Sequence, residues 1–209
     1  MARAGIVAAE FVTSVAAAAG LPQSPLAEVA LVGRSNVGKS SLLNALAGRT
    51  IARTSAAPGK TRLANFYRLE PRRGTACHVV DLPGYGYARG AGDGRPFEPL
   101  ARDYFFGGRA PDRLRGAIAA AVLLADARHP GLDADLGAAA WLTAHGCPYQ
   151  VAAAKADKLS RGERQRAAES FARAFGRDVL MLSARTGEGL ESLWTWIAQQ
   201  VEQWTQRRP

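Results

Sequence analysis

Lysine is scarce in this chain: 4 of 209 residues, against 23 arginines. Cysteine is nearly missing too. Cys77 and Cys147 stand far apart without CxxC or metal-ligand spacing, which excludes a disulfide framework and a cysteine-built metal centre and leaves two small buried hydrophobes. The three histidines, His78, His129 and His145, make no metal motif. No apolar run is long enough to cross a bilayer, and the N-terminus lacks the charged-then-apolar pattern of a secretory signal, so a cytoplasmic location is expected.

What remains is an ordinary globular composition, 47% hydrophobic and 22% charged. At this length one domain is expected over residues 28–209, with residues 1–27 as an N-terminal extension packing on or flanking it. The net charge of +9 points to an anionic partner, either nucleic acid or an anionic membrane face, or to a composition merely biased towards arginine.

Short apolar runs alternate with longer amphipathic stretches, the pattern of an α/β fold with a largely parallel sheet. Strands are expected at Glu28–Val32, Leu63–Leu69, Cys77–Val80, Ile118–Ala125, Tyr149–Ala153 and Val179–Leu182. The unbroken apolar run of Ile118–Ala125 reads as a central buried strand. Helices are expected at Lys39–Ala47, closed by Gly48, and at Asp133–His145, Arg161–Phe175 and Leu190–Trp204. In the last, Leu190, Leu193, Trp194, Ile197, Val201 and Trp204 recur at helical spacing and read as a core stripe. Gly84–Gly94 holds five glycines and reads as a mobile loop.

The four lysines all fall in or beside signatures for phosphates or a base. Gly33-Arg34-Ser35-Asn36-Val37-Gly38-Lys39-Ser40 follows an apolar strand and opens a helix, the context of a P-loop. In such a loop the backbone N–H groups and the helix N-terminus meet phosphate oxygens, Lys39 reaches the β- and γ-phosphates, and Ser40 offers its hydroxyl to Mg²⁺. Asp81-Leu82-Pro83-Gly84 closes a later strand, where the carboxylate acts on Mg²⁺ through water and the Gly84 N–H meets the γ-phosphate. Thr61, after Pro58-Gly59-Lys60, is the candidate that completes the Mg²⁺ shell when its loop closes. Lys39, Thr61 and Gly84 are thus the candidate catalytic groups. Asp157 of Lys155-Ala156-Asp157 can accept from guanine N1–H and N2–H₂, a donor pair adenine lacks, while the Lys155 stem packs on the base plane. Ser183-Ala184 can present a backbone N–H to guanine O6. The order of these motifs points to GTP and GDP with Mg²⁺.

These stretches resemble the translation-factor-related GTPases and, among them, the bacterial EngB (YihA/YsxC) family. The resemblance runs through Ala9–Ser14, Gly33–Leu46, Thr54-Ser55, Pro58–Thr61, Asn65-Phe66, Asp81–Tyr87, Asp126 with Arg128-His129, and Ala154–Leu159. It implies a Ras-like P-loop GTPase fold, a six-stranded mostly parallel sheet with one antiparallel strand and helices on both faces. It further implies nucleotide contacts at Gly33–Ser40, at Gly59, Lys60, Thr61, Arg62 and Leu63, at Asp81–Gly84, at Ala154–Asp157, and at Leu182, Ser183 and Ala184. Ser40 and Thr61 would be the Mg²⁺ ligands. The implied role is a switch in large ribosomal subunit assembly, needed for cell division and septation. One position departs: the family carries Thr, and related GTPases Asn, where this chain has Ala154. The loss of a side-chain tie between base loop and P-loop, worth on the order of 1 kcal/mol, implies weaker nucleotide binding with the guanine preference kept by Asp157.

Ras-type enzymes place a water-orienting glutamine directly after DxxG; here Tyr85 stands there. Slow intrinsic hydrolysis is expected, raised by a partner or by a residue from elsewhere in the chain. Arginines at 109, 113, 115, 161, 164, 166, 173, 177, 207 and 208, with Tyr85, Tyr87 and Tyr104 near the first group, suggest a surface for ribosomal RNA, or else a solvated face. A membrane- or septum-associated GTPase without RNA contact, an ATP-using P-loop enzyme, and a scaffold that binds GTP without hydrolysing it are the competing readings. A monomer is expected.

Overall fold

The computed structural model describes residues 5–53, 63–85, 97, 99–107 and 114–207. Its centre is a sheet of strands β1 (Ile6–Val15), β2 (Ala27–Gly33), β3 (Ala64–Pro71), β4 (Cys77–Asp81), β5 (Ile118–Asp126), β6 (Tyr149–Ala154) and β7 (Leu180–Met181), in the order β1-β3-β4-β2-β5-β6-β7. The pairs β2–β4, β2–β5, β5–β6 and β6–β7 are parallel, whereas β3 is antiparallel to both β4 and β1. The helices are α1 (Lys39–Ala47), α2 (Pro99–Phe106), α3 (Asp133–Ala144), α4 (Arg161–Phe175) and α5 (Leu190–Gln206).

β2 and β5 are buried along their whole length because both sheet faces are covered. Successive side chains alternate between the faces. Val29 and Leu31 meet Leu43 and Leu46 of α1 and Leu193 and Ile197 of α5, while Ala30 and Val32 join Phe66, Tyr104, Phe105 and Leu142 on the other side. Phe171 of α4 covers Ala125 and Ala153 in a smaller cluster. Ser160 and Glu163 cap the start of α4 reciprocally, and Gly48 and Gly176 end α1 and α4 in the left-handed conformation. The core stripe on α5 holds, with Trp204 half-buried and its Nε1–H donating to Gly116 O at 2.8 Å.

Two elements depart from the expectation. The sheet has seven strands, not six, because part of the N-terminal extension pairs with the outer edge of β3. Its buried residues, Ile6, Ala9 and Val15, do not alternate, and two register irregularities interrupt the strand. A period-2 search therefore passes over it. The helix α2 was not anticipated either; it inserts Tyr104, Phe105 and Phe106 under the sheet from a stretch flanked by glycine- and arginine-rich sequence.

Candidate functional site

The chain leaves β2 at Gly33, where a Cβ would lie 2.6 Å from the Leu124 carbonyl oxygen and 2.9 Å from the Val37 side chain. Only glycine lets the loop pass so close to β5. The loop turns through Asn36, at φ 61°, and enters α1 after Gly38. Lys39, nearly buried, folds its ammonium back over the loop and donates to Gly33 O at 3.0 Å and Arg34 O at 3.3 Å. Ser40 Oγ donates to Asp81 Oδ2 at 2.6 Å. The other oxygen, Asp81 Oδ1, is buried without a hydrogen-bond partner. Burial pushes the Lys39 pKa down and the Asp81 pKa up, and the attraction between the two charges opposes both shifts without cancelling them.

Asp81-Leu82-Pro83-Gly84 packs directly on this loop. A Cβ on Gly84 would lie 2.6 Å from the Ser35 nitrogen, and Ser35 Oγ donates to Gly84 O at 3.3 Å. An orphaned carboxylate oxygen beside a hydroxyl is a donor set suited to a hard cation such as Mg²⁺, so Ser40 and Asp81 fit the ion that a nucleoside triphosphate brings.

The second half of the site lies at the ends of β6 and β7. Lys155 sits in the left-handed region at φ 64° and opens a single 3₁₀ turn, Ala156–Lys158. Its Nζ donates to Asn36 O of the phosphate loop at 2.9 Å and to Asp126 Oδ2 at 3.0 Å. Asp157 accepts from Ser183 Oγ at 2.7 Å on one oxygen and from Arg185 Nε at 2.9 Å on the other. These bonds, Ser183's first, hold the carboxyl below the usual range. The Ala156 N–H donates to Leu182 O at 2.9 Å and fixes the turn against β7. A cleft of 740 Å³ runs between α1 and this turn, lined by Gly38, Asn44, Ala154, Lys155, Asp157 and Ala184 among others.

The structure thus brings together the expected residues 33–40, 81–84, 154–157 and 182–184. Gly59, Lys60, Thr61 and Arg62 lie outside the described residues, as do residues 86–94 of the glycine-rich loop; Leu63 is exposed at the start of β3. Ala154 leaves the base loop without a polar side chain at that position, yet the Lys155–Asn36 bond still ties it to the phosphate loop. Tyr85 points into the core: it is buried, its hydroxyl donates to Asp135 Oδ1 at 2.8 Å, and its ring packs edge-on against Phe97.

Three contributors lie outside the expected set. Asp126 binds Lys155 and Arg128. Asn44 Oδ1 accepts from the Ile51 and Ala52 N–H groups, each at 2.8 Å, and holds the segment after α1. Arg185 contacts Asp157. Asp126 and Arg128 stand in one of the stretches that carry the family resemblance, and a charge ending the otherwise apolar β5 was a second signal; Asn44 lies in another such stretch, seven and eight residues from its partners, whereas the Arg185–Asp157 contact exists only in space.

The suggested aromatic-and-arginine surface changes character. Tyr85 and Tyr104 are core residues, Tyr87 and arginines 109, 113 and 208 lie outside the described residues, and Arg115 is committed to the buried Glu28 and the Tyr104 carbonyl. Arg164 pairs with Glu188, and Arg177 stacks on Tyr149. Arg161, Arg166 and Arg173 remain exposed on α4.

A phosphate loop at the mouth of a mostly parallel sheet, with DxxG packed on it and a carboxylate-bearing base loop bonded to it, defines a P-loop GTPase. Residues 28–127 match the 50S ribosome-binding GTPase family. A probable GTP-binding protein EngB of Symbiobacterium thermophilum is 37% identical, with 95% of this chain and 98% of that protein covered. Another from Solibacter usitatus is 40% identical over 89% of this chain and 92% of that protein. The chain belongs to the EngB family of GTP-binding proteins. Among solved structures, a probable EngB is similar with a TM-score of 0.58 at 24% identity, over 85% of this chain and 99% of that one. Era in complex with MgGDPNP and nucleotides of 16S ribosomal RNA is similar with a TM-score of 0.69 at 20% identity, over 84% of this chain and 56% of that one; these two likenesses concern the fold.

Proposed function

We propose that this GTPase is a slow cytoplasmic switch in large ribosomal subunit assembly, working as a monomer on ribosomal RNA and needed for normal cell division. The observation that carries the reading is the bonded junction of the two half-sites. Lys155 reaches the phosphate loop at Asn36, so the base-reading and phosphate-binding segments face one cleft. In this reading Gly33–Ser40 cradle the phosphates, Lys39 leaves its loop carbonyls for the β- and γ-phosphates, and Asp157 accepts the two guanine donors while Ala184 faces O6. Ser40 and Thr61, the latter outside the described residues, would hold Mg²⁺ directly, with Asp81 beside Ser40. When bound, the ion neutralises charge on the phosphate oxygens. Gly84 would offer its N–H to the γ-phosphate.

Hydrolysis consumes one water and yields GDP and phosphate. Tyr85 cannot orient that water while its hydroxyl is given to Asp135, which supports a low intrinsic rate and a need for an activating partner. Arg166 and Arg173 share one exposed face of α4, and Arg161 is exposed at its start, cationic groups available to RNA.

The test is sedimentation with ribosomal subunits in the GTP-analogue and GDP states, combined with single-turnover phosphate release. Binding to the large subunit that differs between the two states, falls steeply with salt and accelerates phosphate release is expected. Salt-insensitive association, or fast turnover by the isolated protein, would overturn it. Failure to sediment, with binding to anionic vesicles instead, would favour a membrane- or septum-associated GTPase.

A further inference from the structure

Asp126 ends β5 and belongs to none of the nucleotide motifs, yet its carboxylate is a crossing point. It accepts from the Arg128 backbone N–H at 3.1 Å, from Arg128 Nε at 2.8 Å and Nη2 at 2.7 Å, and from Lys155 Nζ at 3.0 Å. Burial opposes ionisation, but the Arg128 and Lys155 hydrogen bonds outweigh it and hold the carboxyl far below the usual range. The two-toothed grip of a planar guanidinium fixes the carboxylate's plane and position. The fixed carboxylate in turn fixes the lysine head, whose four-carbon stem would otherwise sample many rotamers.

The lysine's second acceptor matters as much. Lys155 and Asn36 are the non-glycine residues of the described chain at positive φ, at 64° and 61°, and one hydrogen bond of 2.9 Å joins them. Each loop is held in a costly backbone conformation, and such conformations persist where the surroundings over-determine them. Asp126 and Ala154 are register partners on neighbouring strands, and the Ala127 N–H donates to Ala154 O at 2.8 Å, so the carboxylate stands beside the root of the base loop.

We propose that Asp126 is the positioning residue for Lys155, clamped by Arg128, and that through it the base loop and the phosphate loop are fastened into one pre-formed nucleotide cradle. The proposal rests on the reading of Asp157 as the guanine acceptor. In this reading Asp126 acts through the ammonium it holds and not on the nucleotide itself.

The test is a double-mutant cycle on GDP binding, with GDP and ADP titrated into the full chain and folding checked by thermal unfolding. Asp126→Asn keeps the volume but leaves one oxygen to serve both Arg128 and Lys155, so GDP affinity should fall about tenfold to a hundredfold. The preference for GDP over ADP should stay, since Asp157 is untouched. Lys155→Met should weaken GDP by a similar factor, and adding Asp126→Asn to it should cost nothing more. An equal loss in both backgrounds would make Asp126 a strut of the fold and overturn the proposal, as would unchanged GDP affinity in the single variant. If Asp126→Asn does not fold, Arg128→Ala, which frees the carboxylate without removing it, should weaken GDP several-fold only while Lys155 is present; an equal effect without Lys155 overturns the proposal. Asp157→Asn separates the two ideas. If it leaves the GDP-to-ADP preference intact, the guanine reading fails, whereas the cycle alone decides the coupling of Asp126 to Lys155.

Discussion

The two halves of the nucleotide site solve opposite electrostatic problems. In the base half the charges are satisfied: Asp157 is held by Ser183 and Arg185, Asp126 by Arg128 and Lys155, and both carboxyls are shifted towards their ionised forms. In the phosphate half they are not. Burial moves Lys39 and Asp81 towards neutrality, and Asp81 Oδ1 has no partner. One half is a finished mould for a neutral base. The other holds an unpaired carboxylate oxygen and a lysine bonded only to loop carbonyls, a demand that a phosphate chain with a metal ion would meet.

The largest effect that would break this contrast concerns the base half. Asp157→Asn should abolish a guanine-over-adenine preference of roughly 10⁴ while leaving the protein folded, checked by titrating GDP and ADP. In the phosphate half, Lys39→Ala should lower single-turnover hydrolysis on the order of 10³-fold, measured as phosphate release.

The next expectation sharpens the difference through pH. A carboxyl whose folded pKa is depressed adds stability that is complete above its unfolded value, near 4, and is lost as pH falls towards the folded value. Asp126 has that sign. Asp126→Asn should therefore be less stable than the parent at pH 7, by about 1–2 kcal/mol, with the gap narrowing only as pH falls below about 4, read by urea unfolding of the nucleotide-free protein. Asp81 has the opposite sign and adds no such acid-labile stability.

Tyr85→Phe should cost about 1–2 kcal/mol in the same assay, because Asp135, fully buried with Oδ2 already unpaired, loses the hydroxyl that donates to its Oδ1 at 2.8 Å. The smallest effect is expected furthest from the site: Phe11, 53% exposed on β1, should tolerate serine within about 0.5 kcal/mol.

What the amino-acid order revealed follows from how local each signal is. The bounds of α1 and α4 coincide with the expectation because Gly48 ends one and the Ser160–Glu163 pair begins the other. β5 was legible from an uninterrupted apolar run. The contiguous phosphate loop was legible for the same reason, since its function is written in consecutive residues. β1 was hidden by its irregular burial, and the Lys155–Asp126 and Arg185–Asp157 bonds were hidden because their members stand 29 and 28 residues apart. Tyr85 and Tyr104 misled in the other direction: tyrosines near arginines look like a stacking platform until their rings are seen inside the core.

The N-terminal strand has a consequence for how other molecules approach. By lying along β3 it uses up the outward backbone donors and acceptors of the strand that leads out of residues 54–62. A visiting peptide cannot lengthen the sheet at β3 and would meet the irregular rim of β1 instead. Any contact along this edge is therefore left to the side chains and the interrupted backbone of β1.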